Sequence, residues 1–485
     1  MHNQRRRSTL IAVALATFMT YLDNNIVNVA LPTIQRELHL SVAGLEWSVS
    51  AYVLVFAALL LVGGRLADAL GRRRLFLIGL TIFTAGSLTA GLSGSFDLLV
   101  ASRAVQGLGA AMVTPTTLAV ISATFTDTRE RNAAVGAWSA VGALALALGP
   151  LLGGLISQHL PWGWIFLINV PIGVGTIALG AWAIPETREA TPRRLDLSGL
   201  AASASMLSTL TYALIEGPIL GWRAPVIIGA FAVAALSGLV FVLVESRSAD
   251  PMVELSLFRN RVFAGGTIAL MMWAFGLFGI YFFTSLYLQD ILGFSPTKAG
   301  LAFVPMAVLI ALGAIASEPV ARAVGAYRSV GVAMFVMALG IASVSLLGKD
   351  ASFITLMPSF AAIGIGGGLT TPLTASVLGV MPFERAGVAS GIFNASREVA
   401  GLLGITVIGA ILTARQSYQL RHSQNAAAAF LSGYRAGIAL AAILVALGGI
   451  AAWIALRHMS RPEIEGSDAA QGRRQSLRNA ALDIA

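Results

Sequence analysis

The sequence predicts an all-α polytopic membrane protein: fourteen transmembrane helices, arranged as two six-helix bundles with two further helices inserted between them. Three observations lead there. The chain is short of charge, it contains fourteen long apolar runs, and its first part is repeated in its last.

The chain has 485 residues, of which 56% are hydrophobic and 11% charged, and its mean hydropathy is +0.80. A soluble protein carries roughly 25% charged residues, so most of this chain lies where ions are not hydrated. The net charge of +9 does not point to nucleic acid, because no basic stretch carries interleaved aromatics. Membrane proteins gather Lys and Arg in cytoplasmic loops, and membrane lipid is the expected surrounding. The absence of cysteine excludes disulfides and thiolate metal sites. Arginine far outnumbers lysine, beside much Ala, Gly and Leu. That composition suits a GC-rich bacterial genome, so the expected location is a bacterial plasma (inner) membrane.

A helix needs about 20 apolar residues to cross the hydrocarbon, since every backbone N–H and C=O must be paired within the segment. Such runs fall near 8–30, 46–67, 75–92, 97–120, 132–156, 164–184, 197–216, 224–245, 262–289, 298–317, 329–347, 353–379, 386–413 and 434–456. The first follows Arg5-Arg6-Arg7 and imitates a signal peptide. It is longer than an h-region of about 7–15 residues and contains Asp23, so it is read as a span with its basic flank inside. In that orientation the inside loops collect about 23 Lys and Arg and the outside loops about 7. An even number of spans keeps this bias coherent and puts both termini in the cytoplasm.

The repeat is internal and long. Gly107-Leu-Gly109-Ala-Ala-Met-Val-Thr114-Pro115 in the fourth span matches Gly364-Ile-Gly366-Gly-Gly-Leu-Thr-Thr371-Pro372 in the twelfth. Glu130-Arg131 matches Glu384-Arg385. The loop Asp68-Ala-Leu-Gly71-Arg-Arg-Arg74 matches Arg322-Ala-Val-Gly325-Ala-Tyr-Arg328. The near-constant offset predicts an N-terminal six-helix bundle (1–184), an inserted two-helix segment with linkers (185–261), a C-terminal six-helix bundle (262–456) and a cytoplasmic tail (457–485). The tail is polar, and disorder is expected there.

These motifs carry a resemblance. Gly64-Arg-Leu-Ala-Asp68-Ala-Leu-Gly71-Arg72-Arg73-Arg74 resembles the signature loop of the major facilitator superfamily, with Ala69 where a basic residue is usual. Gly149-Pro150-Leu-Leu-Gly153-Gly154 resembles its antiporter motif, with Ala145 in place of the leading glycine. Arg103-Ala-Val-Gln106-Gly107-Leu-Gly109 resembles its fourth-helix motif. Leu22-Asp23-Asn24-Asn25-Ile26-Val27-Asn28 through Pro32, and Gly391-Ile-Phe-Asn394-Ala-Ser-Arg397-Glu398, are similar to the first and thirteenth helices of the fourteen-helix drug:proton antiporters (EmrB/QacA type). The resemblance implies the major facilitator fold and a proton-coupled secondary active efflux transporter working by alternating access. Its substrate would be a small lipophilic drug or natural product, cationic in one version. The proton gradient would be its energy source, with no cofactor, and it is read as functional in monomeric form. The alternative is a permease of the same superfamily for a metabolite, working by proton symport or uniport.

The polar residues inside the spans are the candidate site. An ionised side chain in a span costs about 2.5–3.5 kcal/mol on insertion scales, so such groups pair or line water. Asp23 and Arg103 lie at similar depth, about 10 Å from the outer end at 1.5 Å per residue. Asp23 is the expected proton carrier, with Arg103 tuning it; a static ion pair is the alternative. Glu398 lies near mid-span, as a second proton carrier or an attractor of cations; pairing with a nearby basic side chain is the alternative. Its neighbour Arg397 is expected on another face, because successive residues diverge by about 100°. Asn24, Asn28, Tyr52, Gln106, Trp138, Trp273, Tyr281 and Asn394 are candidates for the substrate cavity. Gly64, Asp68, Gly71 and Arg72–Arg74 form a candidate cytoplasmic gate loop. Gly149, Pro150, Gly153 and Gly154 form a tightly packed bend. The inserted pair carries no motif, and peripheral packing is expected of it.

Catalysis is not expected. The five histidines lie outside the spans or at their ends, and no metal-ligand spacing, nucleophile elbow or phosphate-binding loop occurs. No nucleotide-binding domain is present, so ATP is not the direct energy source.

Overall fold

The computed structural model describes residues 2–189, 195–382, 385–422 and 425–457. The expected tail from 458 onward lies outside the described residues. Among the described residues fourteen helices are long and apolar enough to cross a membrane, one for each predicted run. They are α1 (Gln4–Leu38), α2 (Val42–Leu70), α3 (Arg72–Gly91), α4 (Phe96–Thr124), α5 (Thr128–His159), α6 (Trp164–Ala183), α7 (Leu197–Leu220), α8 (Pro225–Arg247), α9 (Arg261–Ile291), α10 (Pro296–Val324), α11 (Ala326–Leu346), α12 (Phe353–Gly379), α13 (Ala386–Arg421) and α14 (Ala426–Arg457). Among the described residues there is no β-strand.

Local chemistry sets the helix ends. Ser41, Ser95, Asp127, Asn260 and Ser295 each accept a backbone N–H at a helix start, supplying a partner to a donor the helix leaves unpaired. Gly71 and Gly325 take φ of 104° and 89°, which a side chain disfavours. These two glycines occupy matching positions of the repeat and make the same tight turn, α2 into α3 and α10 into α11. Large apolar side chains face outward, among them Ile315, Leu346 and Ile354, each more than three-quarters exposed. In water such a surface would be a liability; against lipid it is what a span requires.

In the first bundle α1 packs on α5 and α6, and α4 on α2 and α3. In the second, α9 and α11 pack on α14, and α10 on α12. Two long seams join the bundles, α5 against α10 and α2 against α13, which the repeat makes equivalent. The inserted pair is asymmetric: α7 packs on both α2 and α13, while α8 packs chiefly on α7. The expected peripheral role therefore describes α8, whereas α7 sits on a seam.

Candidate functional site

Asp23 and Arg103 are fully buried, and they meet. Arg103 Nη1 donates to Asp23 Oδ2 and, at 2.9 Å, to Gln106 Oε1. Arg103 Nε donates to the Ser48 carbonyl at 3.1 Å. Gln106 Nε2 donates to Asp23 Oδ1 and to Ser87 Oγ, both at 2.8 Å. Asn169 Nδ2 donates to Asp23 Oδ1 at 3.0 Å. The carboxylate thus receives three side-chain donors, from α4 twice and from α6, which is how an ion is held away from water. The Arg103 guanidinium carbon stands 4.5 Å from the Tyr52 ring centroid and 5.4 Å from that of Phe166, within cation–π range.

Tyr52 also borders a cavity of about 270 Å³, walled by α1, α2, α4, α5, α9 and α13. Asn24, Asn28, Tyr52, Trp138, Trp273, Tyr281 and Glu398 line it, together with Tyr21, Asn25, Phe56, Phe278 and Arg397. Two cavity candidates do not. Gln106 turns away from the wall into the Asp23 cluster, and Asn394 donates to the Ser390 carbonyl one turn back. Each amide found a nearer partner than the cavity. The expected separation of Arg397 from Glu398 also fails. Arg397 Nη2 and Nε reach Glu398 Oε1 at 2.7 and 3.0 Å, and both residues line the cavity. Their Cα–Cβ bonds diverge, but the long arginine stem curls back, and the burial of Glu398 rewards the pair.

The cavity is sealed at the end of the bundle away from the termini. There Gln158 Oε1 of α5 accepts the Thr297 N–H of α10 at 3.1 Å, and Thr297 Oγ1 donates to the Gly154 carbonyl at 3.4 Å. Gln289 Nε2 of α9 donates to the Val29 carbonyl of α1 at 2.8 Å. The glycines of the 149–154 motif make these approaches possible. A Cβ on Gly149 would stand 2.6 Å from that of Asn25; one on Gly153 would overlap the Ile26 carbonyl, and one on Gly154 the Pro296 carbonyl. Opposite Pro150, a Cβ on Gly300 would overlap the Pro150 carbonyl. The bend therefore packs on α1 with one face and closes on the other bundle with the next.

The gate-loop residues gather at the opposite end. Arg72 Nη2 pairs with Asp68 at 3.2 Å and with Glu189 at 3.9 Å. Glu186 accepts the N–H groups of Arg73 and Arg74, each at 3.2 Å, so an acid caps the positive end of α3. A Cβ on Gly71 would overlap the Glu186 carboxylate. Gly64 is looser, 3.8 Å from Pro115 Cβ, and its neighbour Gly63 makes the close approach to Ala111.

Sequence reasoning missed Asn169, Ser87 and the Ser48 carbonyl. Asn169 carried a signal: it is an amide inside an apolar run, and an unpaired amide in hydrocarbon is expensive.

Two pseudo-equivalent six-helix bundles around a central cavity, with an ion network buried beside it, define a secondary transporter. The chain matches the Major Facilitator Superfamily over residues 13–405, and it belongs to that superfamily. It is 36% identical over 415 residues to the multidrug resistance protein Stp of Mycobacterium tuberculosis, covering 85% of this chain and 77% of that protein. It is 34% identical over 409 residues to the tetracenomycin C resistance and export protein of Streptomyces glaucescens (84% and 76% covered). It is 35% identical over 463 residues to the puromycin resistance protein of Streptomyces alboniger (93% and 91%). In fold it is similar to a bacterial homologue of the lysosomal transporter Spinster, with a TM-score of 0.66 at 17% identity over 93% of this chain and 97% of that one. It is likewise similar to the POT-family transporter PepTSo, with a TM-score of 0.67 at 16% identity over 93% and 98%. Fourteen spans and these relatives make it a multi-pass cell-membrane protein.

Proposed function

We propose that this protein is a drug or natural-product:proton antiporter that expels a small lipophilic molecule by alternating access. The observation that carries this reading is the placement of Asp23, one aromatic ring away from a central cavity. When Asp23 is ionised it holds Arg103, Gln106 and Asn169 in one arrangement. A proton on Asp23 removes the counter-charge of Arg103, whose guanidinium packs on Tyr52, and Tyr52 is cavity wall. Proton occupancy and cavity shape are thereby linked through one side chain.

The resistance and export names of the relatives support a xenobiotic or self-made antibiotic as cargo, rather than a metabolite. The cavity supports a lipophilic one. Its charged lining residues, Arg397 and Glu398, neutralise each other, which leaves aromatic and apolar surface to do the selecting. With the termini in the cytoplasm, as the arginine distribution implies, the sealed end is the outer one and the cavity awaits cargo from inside. The proton gradient is the energy source, and a single chain supplies both bundles.

The test is efflux of a dye and antibiotic panel from an efflux-deficient host, with and without protonophore, for the parent and Asp23→Asn. Asparagine keeps the shape and can still accept from Gln106 and Asn169, while Arg103 keeps the Ser48 carbonyl, Gln106 Oε1 and the Tyr52 and Phe166 rings, so the variant is expected to reach the membrane, at reduced yield, and lose proton-driven export. Export by Asp23→Asn with the parent's protonophore sensitivity refutes the assignment.

A further inference from the structure

Glu46 is the acid that the reading above leaves unused. It lies in the first turns of α2, near the sealed end, and is 1% exposed. Its Oε2 has no hydrogen-bond partner among the described residues. Across from it is Gly409 of α13, where a Cβ would overlap the Glu46 carboxyl. On its third side is α7, whose Glu216 accepts the Trp47 Nε1–H at 2.8 Å. Glu216, of the same sign, is thus held beside it through Trp47, and among the described residues no Arg, Lys or His forms an ion pair with Glu46. An ionised carboxylate removed from water with no cation beside it is too costly to persist, and the group neutralises instead.

The repeat sharpens the anomaly. At the offset of 254 that relates Asp68 to Arg322, Glu46 corresponds to Gly300. At the α5–α10 seam Gly300 rests directly on the Pro150 backbone. At the α2–α13 seam the equivalent position is an acid, and the opposing residue is a glycine that leaves room for it. Packing alone calls for an apolar residue at 46.

We propose that Glu46 is a second proton-binding site, built into the α2–α13 seam, whose proton is held while the seam is closed and released when it opens. α2 belongs to one bundle and α13 to the other. When the bundles part at this end, Gly409 withdraws, water reaches the carboxyl, and it ionises. Closing the seam again requires the proton, so binding and closure are one linked equilibrium. A cleft of about 410 Å³ lined by Ser41, Trp47, Phe96 and Glu216 brings solvent to the neighbouring acid and offers the proton its route. The inserted helix α7, packed on both sides of the seam, gains a purpose as the carrier of Glu216. The inference rests on proton-coupled transport only for the use made of the proton.

The chain has no cysteine, so Leu160→Cys and Lys349→Cys, exposed beyond α5 and α11, give a clean spin-label pair across the sealed end. In reconstituted parent protein, raising the pH is expected to transfer population from the short to the long distance, approaching tenfold per pH unit for one linked proton. In Glu46→Gln the short distance is expected to persist at every pH. A Glu46→Gln protein that lengthens with pH as the parent does overturns the proposal. A second measurement needs no substitution. Dicyclohexylcarbodiimide modifies protonated carboxyls in apolar surroundings, and peptide mass spectrometry is expected to find the adduct on Glu46 at low pH and lose it as pH rises. A Glu46 left unmodified at every pH also overturns the proposal. Efflux separates the two readings. Proton-driven export with a pH-responsive Glu46→Gln removes this inference alone, whereas a Glu46-dependent seam in a protein that exports nothing removes the proposed function alone.

Discussion

Gly154→Ala tests whether the sealed end is held by backbone contact between the bundles. The added methyl meets the Pro296 carbonyl of α10, which belongs to a helix start and cannot rotate aside like a side chain. Overpacking of this kind costs about 1–3 kcal/mol, and the cost falls only on the arrangement in which α5 and α10 touch. A bias of about 1–3 kcal/mol between two arrangements is about 5- to 150-fold in population. Gly153 is the internal control: its methyl would meet the Ile26 carbonyl of α1, within one bundle, so it burdens both arrangements alike. The assay is the reaction of a single Leu151→Cys with a membrane-impermeant maleimide, because the Leu151 backbone lies against Gly300 in the seam. Gly154→Ala is expected to raise the labelling rate by a factor in that range, and Gly153→Ala to lower folded yield without raising it. Equal rates for Gly154→Ala and the parent, or an equal rise from Gly153→Ala, would refute the reasoning.

Further outcomes follow from the same contacts. Asn169→Leu removes a donor from the buried Asp23 carboxylate, a hydrogen bond to charge worth about 1.5–3 kcal/mol; thermal unfolding in detergent should move down, and an unchanged midpoint would show that Asn169 is dispensable. Arg103→Met strands Asp23 as an unpaired buried charge, a loss of about 3–5 kcal/mol; combining it with Asp23→Asn should restore much of the folded yield, measured by size-exclusion chromatography. Arg397→Met frees the Glu398 carboxylate in the cavity, and the efflux panel should widen toward organic cations; an unaltered panel would remove Glu398 from the selecting surface. Gly71→Ala forces a side chain into φ of 104° against Glu186, at about 1–3 kcal/mol; lower membrane yield in quantitative blots is the expected readout.

The count of spans was legible because a bilayer imposes it. Each of the fourteen apolar runs became a helix, since no other local structure pairs the backbone without water. The repeat was legible because the turns at Gly71 and Gly325 need the same residue for the same φ. Asp23, Arg103 and Glu398 were legible as exceptions to an apolar background. Their surroundings were less so. Gln106 and Asn394 have the composition of cavity residues, and helix rotation turned them elsewhere. Arg397 and Glu398 are adjacent in sequence and were expected to part; the reach of the arginine stem brought them together. Glu46 drew no notice, because near a helix end an acid is ordinary until α7 and α13 close over it.

The sequence by itself determined that this chain crosses the membrane, how often, and with what internal symmetry, because those properties depend on transfer free energy summed along a segment. It also determined that a few ions lie where ions are costly. Only the tertiary structure decided which partner answers each of them: Asn169 for Asp23, Arg397 for Glu398, and for Glu46 no cation among the described residues. Hydropathy fixes the depth of a residue, but the rotation of each helix about its axis, and so the identity of every neighbour, comes from packing against all the others.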